Sequence, residues 1–221
     1  MLFYGSPAPD SSSKKSSSNS GSSGSGGESG SSSSSSEEPL PANNGIENIG
    51  LAVFKHDRLV GKLTPTETLC HLIITNKLKN CRLSIPDPED ENKAIDMFLN
   101  SDATPNINVN IINGTPYIKV AIKMNSRIAS INQISEYITK ERVAKIEESA
   151  SYYLQTHLLN YLYKTAKEFN SDISGTGKYA LSKFKTESEF TNYNWLDNYE
   201  NSFFNVEAKI HIKSNFLLTG T

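Results

Sequence analysis

The chain has 221 residues, 36% of them hydrophobic, with two cysteines and a formal charge of −2 at pH 7. Residues 1–40 hold only six hydrophobic residues, and two lysines against four acids, so the body beyond them is about 41% hydrophobic and balances 20 basic against 20 acidic residues. A body of that size and composition supports one core. Its neutrality argues against a broad nucleic-acid or anionic-membrane patch; its two cysteines make neither a disulfide scaffold nor a four-ligand zinc site; and no apolar run reaches the ~18 residues a membrane-spanning helix needs.

From Ser11 to Ser36, 17 of 26 residues are serine and most of the others are Gly, Asn or Lys. Such a segment buries too little apolar surface to offset the entropy of ordering it, so a disordered linker is expected. Met1–Tyr4 is the only apolar group ahead of it. It is too short for a signal-peptide core and has no Lys or Arg before it, and the first cysteine, Cys70, is far from any lipid-anchor position. The expected division is a Ser/Gly-rich tail or linker over 1–45, with a remnant of a preceding domain at 1–9, and one domain over 46–221.

Ile49–Lys55 and Arg58–Leu63 are apolar runs separated by the polar step His56-Asp57, which predicts a β-hairpin. In Thr64-Pro65-Thr66-Glu67, Thr64 is placed as N-cap, Pro65 at the first helical position and Glu67 at the third, a complete capping box. Leu69, Leu72, Ile73 and Asn76 continue at helical spacing, and the helix is expected to end near Lys79-Asn80. Arg82–Ile85 reads as a short strand closed by Pro86-Asp87-Pro88, whereas Ala94–Leu99 fits helix or strand. Ile107, Val109 and Ile111 alternate with asparagines, Ile118, Val120 and Ile122 alternate with Lys and Ala, and Asn113-Gly114 between them predicts a second hairpin. From Ser135 the period changes to that of a helix of about 35 residues whose apolar face runs from Ile138 to Phe169, stopped by Asn170-Ser171-Asp172 and Gly175-x-Gly177. A shorter helical piece around Tyr179–Phe184 follows, then a strand through Val206, Ala208, Ile210 and Ile212 toward Gly220. The fold class is α+β: an antiparallel-dominated sheet with hairpins, packed against one long helix and a shorter helix behind the Ser-rich tail.

Little in the body calls for catalysis, and no cofactor or metal site is expected. Gly175-Thr176-Gly177-Lys178 lacks the earlier glycine of a phosphate loop, where Asp172 stands, and the Ser or Thr after the lysine, where Tyr179 stands. Asp87–Glu91 is an acidic loop without the glycine and terminal glutamate of a calcium loop, and reads as solvated. His56, His71, His157 and His211 have no second ligand at metal spacing apart from the adjacent pair Cys70-His71, whose side chains point about 100° apart on a helix. A thiol-hydrolase reading of Cys70 has no supporting motif; Cys70 and Cys81 are expected as buried or partly buried free thiols. Of the tyrosines on the long helix, Tyr153 and Tyr161 fall on the apolar face, while Tyr152 and Tyr163 fall off it and are better placed for contacts.

Three blocks, read in order, resemble the C-terminal domain of the Ger(x)C family, the lipoprotein C subunits of GerA-type spore germinant receptors. Gly50-Leu-Ala-Val-Phe-Lys-His-Asp-Arg-Leu-Val-Gly61 is close to that family's Gly-Thr-Ala-Val-Phe-Lys-x-Asp-Lys-Leu-Val-Gly hairpin, and a Thr-x-x-Glu-Thr helix and Asn76-Lys77-Leu78-Lys79 follow it. Asp172-Ile173-Ser174-Gly175-Thr176-Gly177 resembles the Asp-Ile-Phe-Gly-Phe-Gly turn, with Ser174 and Thr176 in place of the aromatics. Trp195, Tyr199, an alternating strand and Gly220 complete the order, although Leu217-Leu218 stand where basic residues are common.

The resemblance covers about 46–221. It implies a non-enzymatic receptor subunit on the outer face of the spore inner membrane, partnered with two integral membrane subunits, anchored in full-length members through an N-terminal lipid-modified cysteine, and active in nutrient-triggered germination. Partner contact is expected first at the hairpin tip, His56, Asp57 and Arg58, and at Lys62, the polar residues of an otherwise apolar unit. The alternative function is a module that binds an amino acid or other nutrient directly, which needs a concave pocket of some hundreds of Å³ with converging polar groups.

Overall fold

In the computed structural model the described residues are 2–7, 46–55, 57–101, 103–131 and 139–214. The linker segment, His56, residues 132–138 and the C-terminal residues beyond Ser214 lie outside them. Strand β2 (Ile46–Lys55) and β3 (Arg58–Leu63) form the first hairpin in antiparallel register, Leu51 opposite Leu63 and Lys55 opposite Arg58, with a bulge at Val53/Phe54. Strand β1 (Leu2–Pro7), not anticipated as an element, pairs antiparallel with β2 and completes a three-stranded sheet β1-β2-β3.

Helix α1 (Pro65–Ile74) opens on the capping box: the Thr64 amide donates to Glu67 Oε2 at 2.8 Å and the Glu67 amide to Thr64 Oγ1 at 3.3 Å. It stops at Ile74, five residues before the expected end, because Asn76 takes a left-handed φ of 56° and the amides of Lys77 and Leu78 turn back onto the Leu72 carbonyl.

The second sheet has five strands: β4 (Asn80–Asp87), β5 (Asp90–Asn100), β6 (Asn106–Ile112), β7 (Thr115–Ile131) and β8 (Phe203–Ser214). The ambiguous Ala94–Leu99 is strand, since both its edges are taken, by β4 on one side and β7 on the other. Asn113 and Gly114 turn β6 into β7 with φ of 50° and 81° and Ile112 opposite Thr115. Strand β7 organises the sheet: β6 pairs with its first half and β5 with its second half along one edge, while β8 runs parallel along the other. A parallel neighbour requires a crossover, and helix α2 (Lys140–Lys167) supplies it.

Helix α2 is 28 residues long, shorter than the expected 35, because Thr139 caps it: Thr139 Oγ1 accepts from the Arg142 amide at 3.2 Å. Its buried stripe Ile146, Ala150, Leu154, Leu158 and Leu162 faces the even-numbered side chains of β7 and β8, and one apolar core links both sheets and α1. The helix also closes the sheet's exposed edge. Ser151 Oγ accepts from the Ile210 amide at 3.0 Å and Glu147 Oε1 from the Ile212 amide at 2.6 Å, satisfying edge groups that would otherwise invite another strand. The shorter helical piece is α3 (Gly177–Ala180) with a 3-10 turn at Leu181–Lys183; α4 (Glu187–Tyr193) and α5 (Trp195–Tyr199), which the sequence pattern did not suggest, then lead into β8.

Candidate functional site

A half-open cleft of about 350 Å³ lies between the end of α1, the Thr104-Pro105 loop and the glycine turn after α2. Its walls carry His71, Lys77, Asp172, Ser174 and Lys178. His71 is buried, with Nδ1 2.8 Å from Tyr161 Oη, and that phenol oxygen lies 2.9 Å from Ser174 Oγ. Burial, and secondarily the Lys77 ammonium, push the His71 imidazole down to about 4. Burial likewise drives the Tyr161 phenol well above its ordinary range. At neutral pH the chain His71–Tyr161–Ser174 therefore consists of three uncharged groups, the first two 90 residues apart in sequence.

This arrangement makes stability depend on pH with a definite sign. The unfolded imidazole, near 6.5, binds a proton before the folded one does, so the contribution of His71 is complete above pH 6.5 and is lost as pH falls toward 4. The expected loss is at most about 3 kcal/mol, and about 2 kcal/mol once screening through the open cleft is allowed for. Urea melts of the protein and of His71→Gln between pH 7.5 and 4 check this. The difference in stability between them should shrink across that window, and a constant difference would show that His71 does not titrate there.

The glycine turn owes its shape to Asp172. Its carboxylate accepts from the Thr176 amide at 2.9 Å, the Gly177 amide at 2.6 Å and the Trp195 indole Nε1 at 2.9 Å. These are the amides a phosphate would need, so the resemblance to a phosphate loop ends there. Gly177 packs so closely under Trp195 that a Cβ would lie 2.8 Å from the indole nitrogen. Tyr199 is buried beside this turn, its hydroxyl 2.8 Å from Thr165 Oγ1.

The other candidates are spread over the molecule. Asp57, Arg58 and Lys62 are exposed on the first hairpin, beside the half-exposed Leu59, and none of them lines the cleft; His56 lies outside the described residues. Tyr152 is exposed, but Tyr163, expected as a contact residue, is partly buried and packs edge-on against Phe204 with ring centroids 5.1 Å apart.

The acidic loop is not simply solvated. Asp87 is buried and accepts from Arg142 Nη2 at 3.1 Å, while Glu89 meets Arg142 and Lys145, each at 3.5 Å, in the first turns of α2. Among the described residues no His/Cys/Asp/Glu cluster suits a metal ion. Cys70 is a buried free thiol and Cys81 a partly buried one, and burial pushes them up to about 12 and about 11. Neither presents a thiolate at neutral pH. His157 lies tilted against Tyr153 with ring centroids 4.3 Å apart, and His211 pairs with Glu147 at 2.9 Å.

Sequence reasoning singled out His71, Tyr161 and the 172–177 turn separately and missed that they meet. The only usable signal was that a histidine on a capped apolar helix and a tyrosine on an apolar helix face both need polar partners once buried.

The body is thus α+β, a long helix laid over a mixed sheet, with a polar cleft beside it and two thiols that burial keeps protonated. Residues 49–215 match the family described as spore germination B3/GerAC-like, C-terminal, and the chain belongs to that family. The crystal structure of the GerBC protein has the same fold, with a TM-score of 0.67 at 15% identity over 77% of this chain and 53% of that one. The chain thus spans about half the length of that protein. No curated protein matches the chain. The family is one of spore germination, and among the described residues no helix is long and apolar enough to cross a membrane.

Proposed function

We propose that the chain serves spore germination as a non-enzymatic domain of a nutrient germinant receptor, held by protein contacts to the receptor's integral membrane subunits at the outer face of the spore inner membrane. The family match over 49–215 carries this reading. In this reading 46–221, with strand β1 paired onto β2, are the part that docks. The exposed hairpin residues Asp57, Arg58 and Lys62, with the adjoining His56, are the first contact surface to examine.

The test is affinity capture from detergent-solubilised spore membranes on the full chain, followed by mass spectrometry. Recovery of the two membrane subunits, reduced by Arg58→Glu with Lys62→Glu, is the expected result. A folded bait that retains neither subunit would overturn the reading.

A second reading, direct binding of a small nutrient, is favoured by the cleft itself, whose 350 Å³ and converging His71, Ser174, Lys77 and Lys178 match what such a site requires. Calorimetric titration of the same preparation with free amino acids separates the two: saturable heat supports the second reading, and its absence alongside recovered subunits supports the first.

A further inference from the structure

The neutrality of the body conceals a segregation of charge. Helix α2 covers the face of the five-stranded sheet made by even-numbered residues of β7 and β8, which leaves the opposite face open to solvent. Among the described residues of that open face, Arg82, Lys119, Lys123, Arg127, Lys209 and Lys213 stand against only Asp96 and Glu207. The two acids are already engaged, Asp96 with Arg82 at 2.5 Å and Glu207 with Lys119 at 2.5 Å. By count, the described part of this face holds four more cations than acids, in a domain that is neutral as a whole. The stretch from Lys140 to Glu200, which holds α2 to α5, is by contrast close to balance, with eight basic residues against nine acids.

The placement of the cations costs stability. Lys123 and Lys209 are directly opposite each other in neighbouring strands, both exposed, an arrangement in which like charges repel. Strand β6 has ended before Lys123 and β5 pairs only from Asn125 onward, so neither of those strands sets a residue opposite Lys123. A repulsive pair kept at the centre of an open face suggests a partner that neutralises it. Apolar groups lie among these charges. Phe98 is 46% exposed with the Arg127 guanidinium 6.0 Å above its ring, and at one end of the face Tyr117 and Phe203 stack at 5.1 Å, both exposed.

We propose that this sheet face is a docking surface for an anionic lipid bilayer. The cations are spread over strands β4, β5's neighbour β7, and β8 in a broad field, which suits a plane of headgroups better than a narrow acidic peptide. Of the exposed rings, Tyr117 carries the polar edge that suits the headgroup boundary, and Phe98 and Phe203 add apolar surface beside the cations. Attraction of this kind adds with each basic residue near the surface and decays within a Debye length.

Flotation of the full chain with phosphatidylcholine vesicles containing about one-third phosphatidylglycerol tests the proposal, against vesicles of phosphatidylcholine alone. The expected result is binding to the anionic vesicles only, lost in high salt, and weakened tenfold or more in Lys123→Gln with Lys209→Gln. Circular dichroism establishes that this surface variant is folded, and Lys183→Gln with Lys185→Gln, on the helical side, should bind as the parent does. Three outcomes would overturn the proposal: no binding to anionic vesicles, equal binding to both compositions, or full binding by the Lys123/Lys209 variant. Tighter, vesicle-displacing binding to polyglutamate would overturn it as well, by assigning the face to an acidic protein.

Discussion

Replacing Asp172 by alanine should lower stability by about 3–5 kcal/mol. One carboxylate accepts three hydrogen bonds, from the amides of Thr176 and Gly177 and from the Trp195 indole. All three donor residues are buried, so the truncation leaves three donors in the protein interior with no acceptor and little access to water. Each costs about 1–3 kcal/mol, and the loss is moderated only as far as the turn opens to solvent. For a body of this size the fall in Tm is roughly 10 °C or more. Asp172→Asn is the informative companion. It keeps one accepting oxygen but turns an NH2 toward the remaining donors, so it should recover less than half of the loss. Thermal melts followed by Trp195 fluorescence check both variants, because the indole is one of the released donors. The same change should loosen the wall of the cleft, since Asp172, Ser174 and Gly175 line it together. A melting temperature within about 2 °C of the parent for Asp172→Ala would show that the turn holds its shape without the carboxylate.

Among the described glycines, Gly50→Ala should be the most damaging substitution. Gly50 has a φ of 150°, and an added Cβ would lie 2.0 Å from the Leu63 carbonyl oxygen and 3.2 Å from its carbon. The obstruction is backbone, held in place by the pairing of Leu51 with Leu63, so neither rotamer change nor side-chain shift relieves it. The alternatives are loss of the β2–β3 register or of the chain entry into α1, and a cost above about 4 kcal/mol follows. Gly114→Ala provides the scale. Gly114 also has a positive φ, of 81°, but no atom lies within 4 Å of its added Cβ, so only the left-handed penalty of about 1–2 kcal/mol applies. Soluble yield and urea midpoints of the two variants should differ sharply. Equal stabilities would mean that the first hairpin tolerates rearrangement at its base.

Both predictions concern segments whose residues the sequence already marked, and they show where legibility stopped. Gly50 opens the motif that resembles the family hairpin, and Asp172 opens the glycine turn, yet neither neighbour that makes the residue necessary could be read from its surroundings. Leu63 oxygen reaches Gly50 through strand pairing, and Trp195 reaches Asp172 across 23 residues. The cleft was invisible for the same reason. Its His71 and Ser174 are joined through Tyr161, which lies 90 positions from His71, and a pattern read in windows of ten to twenty residues holds no distance between them.

What the sequence by itself determined is local. Thr64, Pro65 and Glu67 specify a helix start because their hydrogen bonds close within four residues, and Asn113-Gly114 specifies a hairpin because the turn needs two left-handed residues. The alternation in β6, β7 and β8 announces strands with one buried face, and the apolar stripe of α2 announces the helix that covers it. Tertiary structure decided the rest. Asn76 could continue a helix or end one, and ended it. Ala94–Leu99 became strand because β4 and β7 offered both of its edges a partner. The β8 strand runs parallel to β7, which a period of two cannot express, because alternation is the same read in either direction. Charge makes the same point. A count of 20 against 20 is a sum over the body and carries no direction, whereas packing α2 on one face of the sheet left six of the cations with two acids on the other, among the described residues.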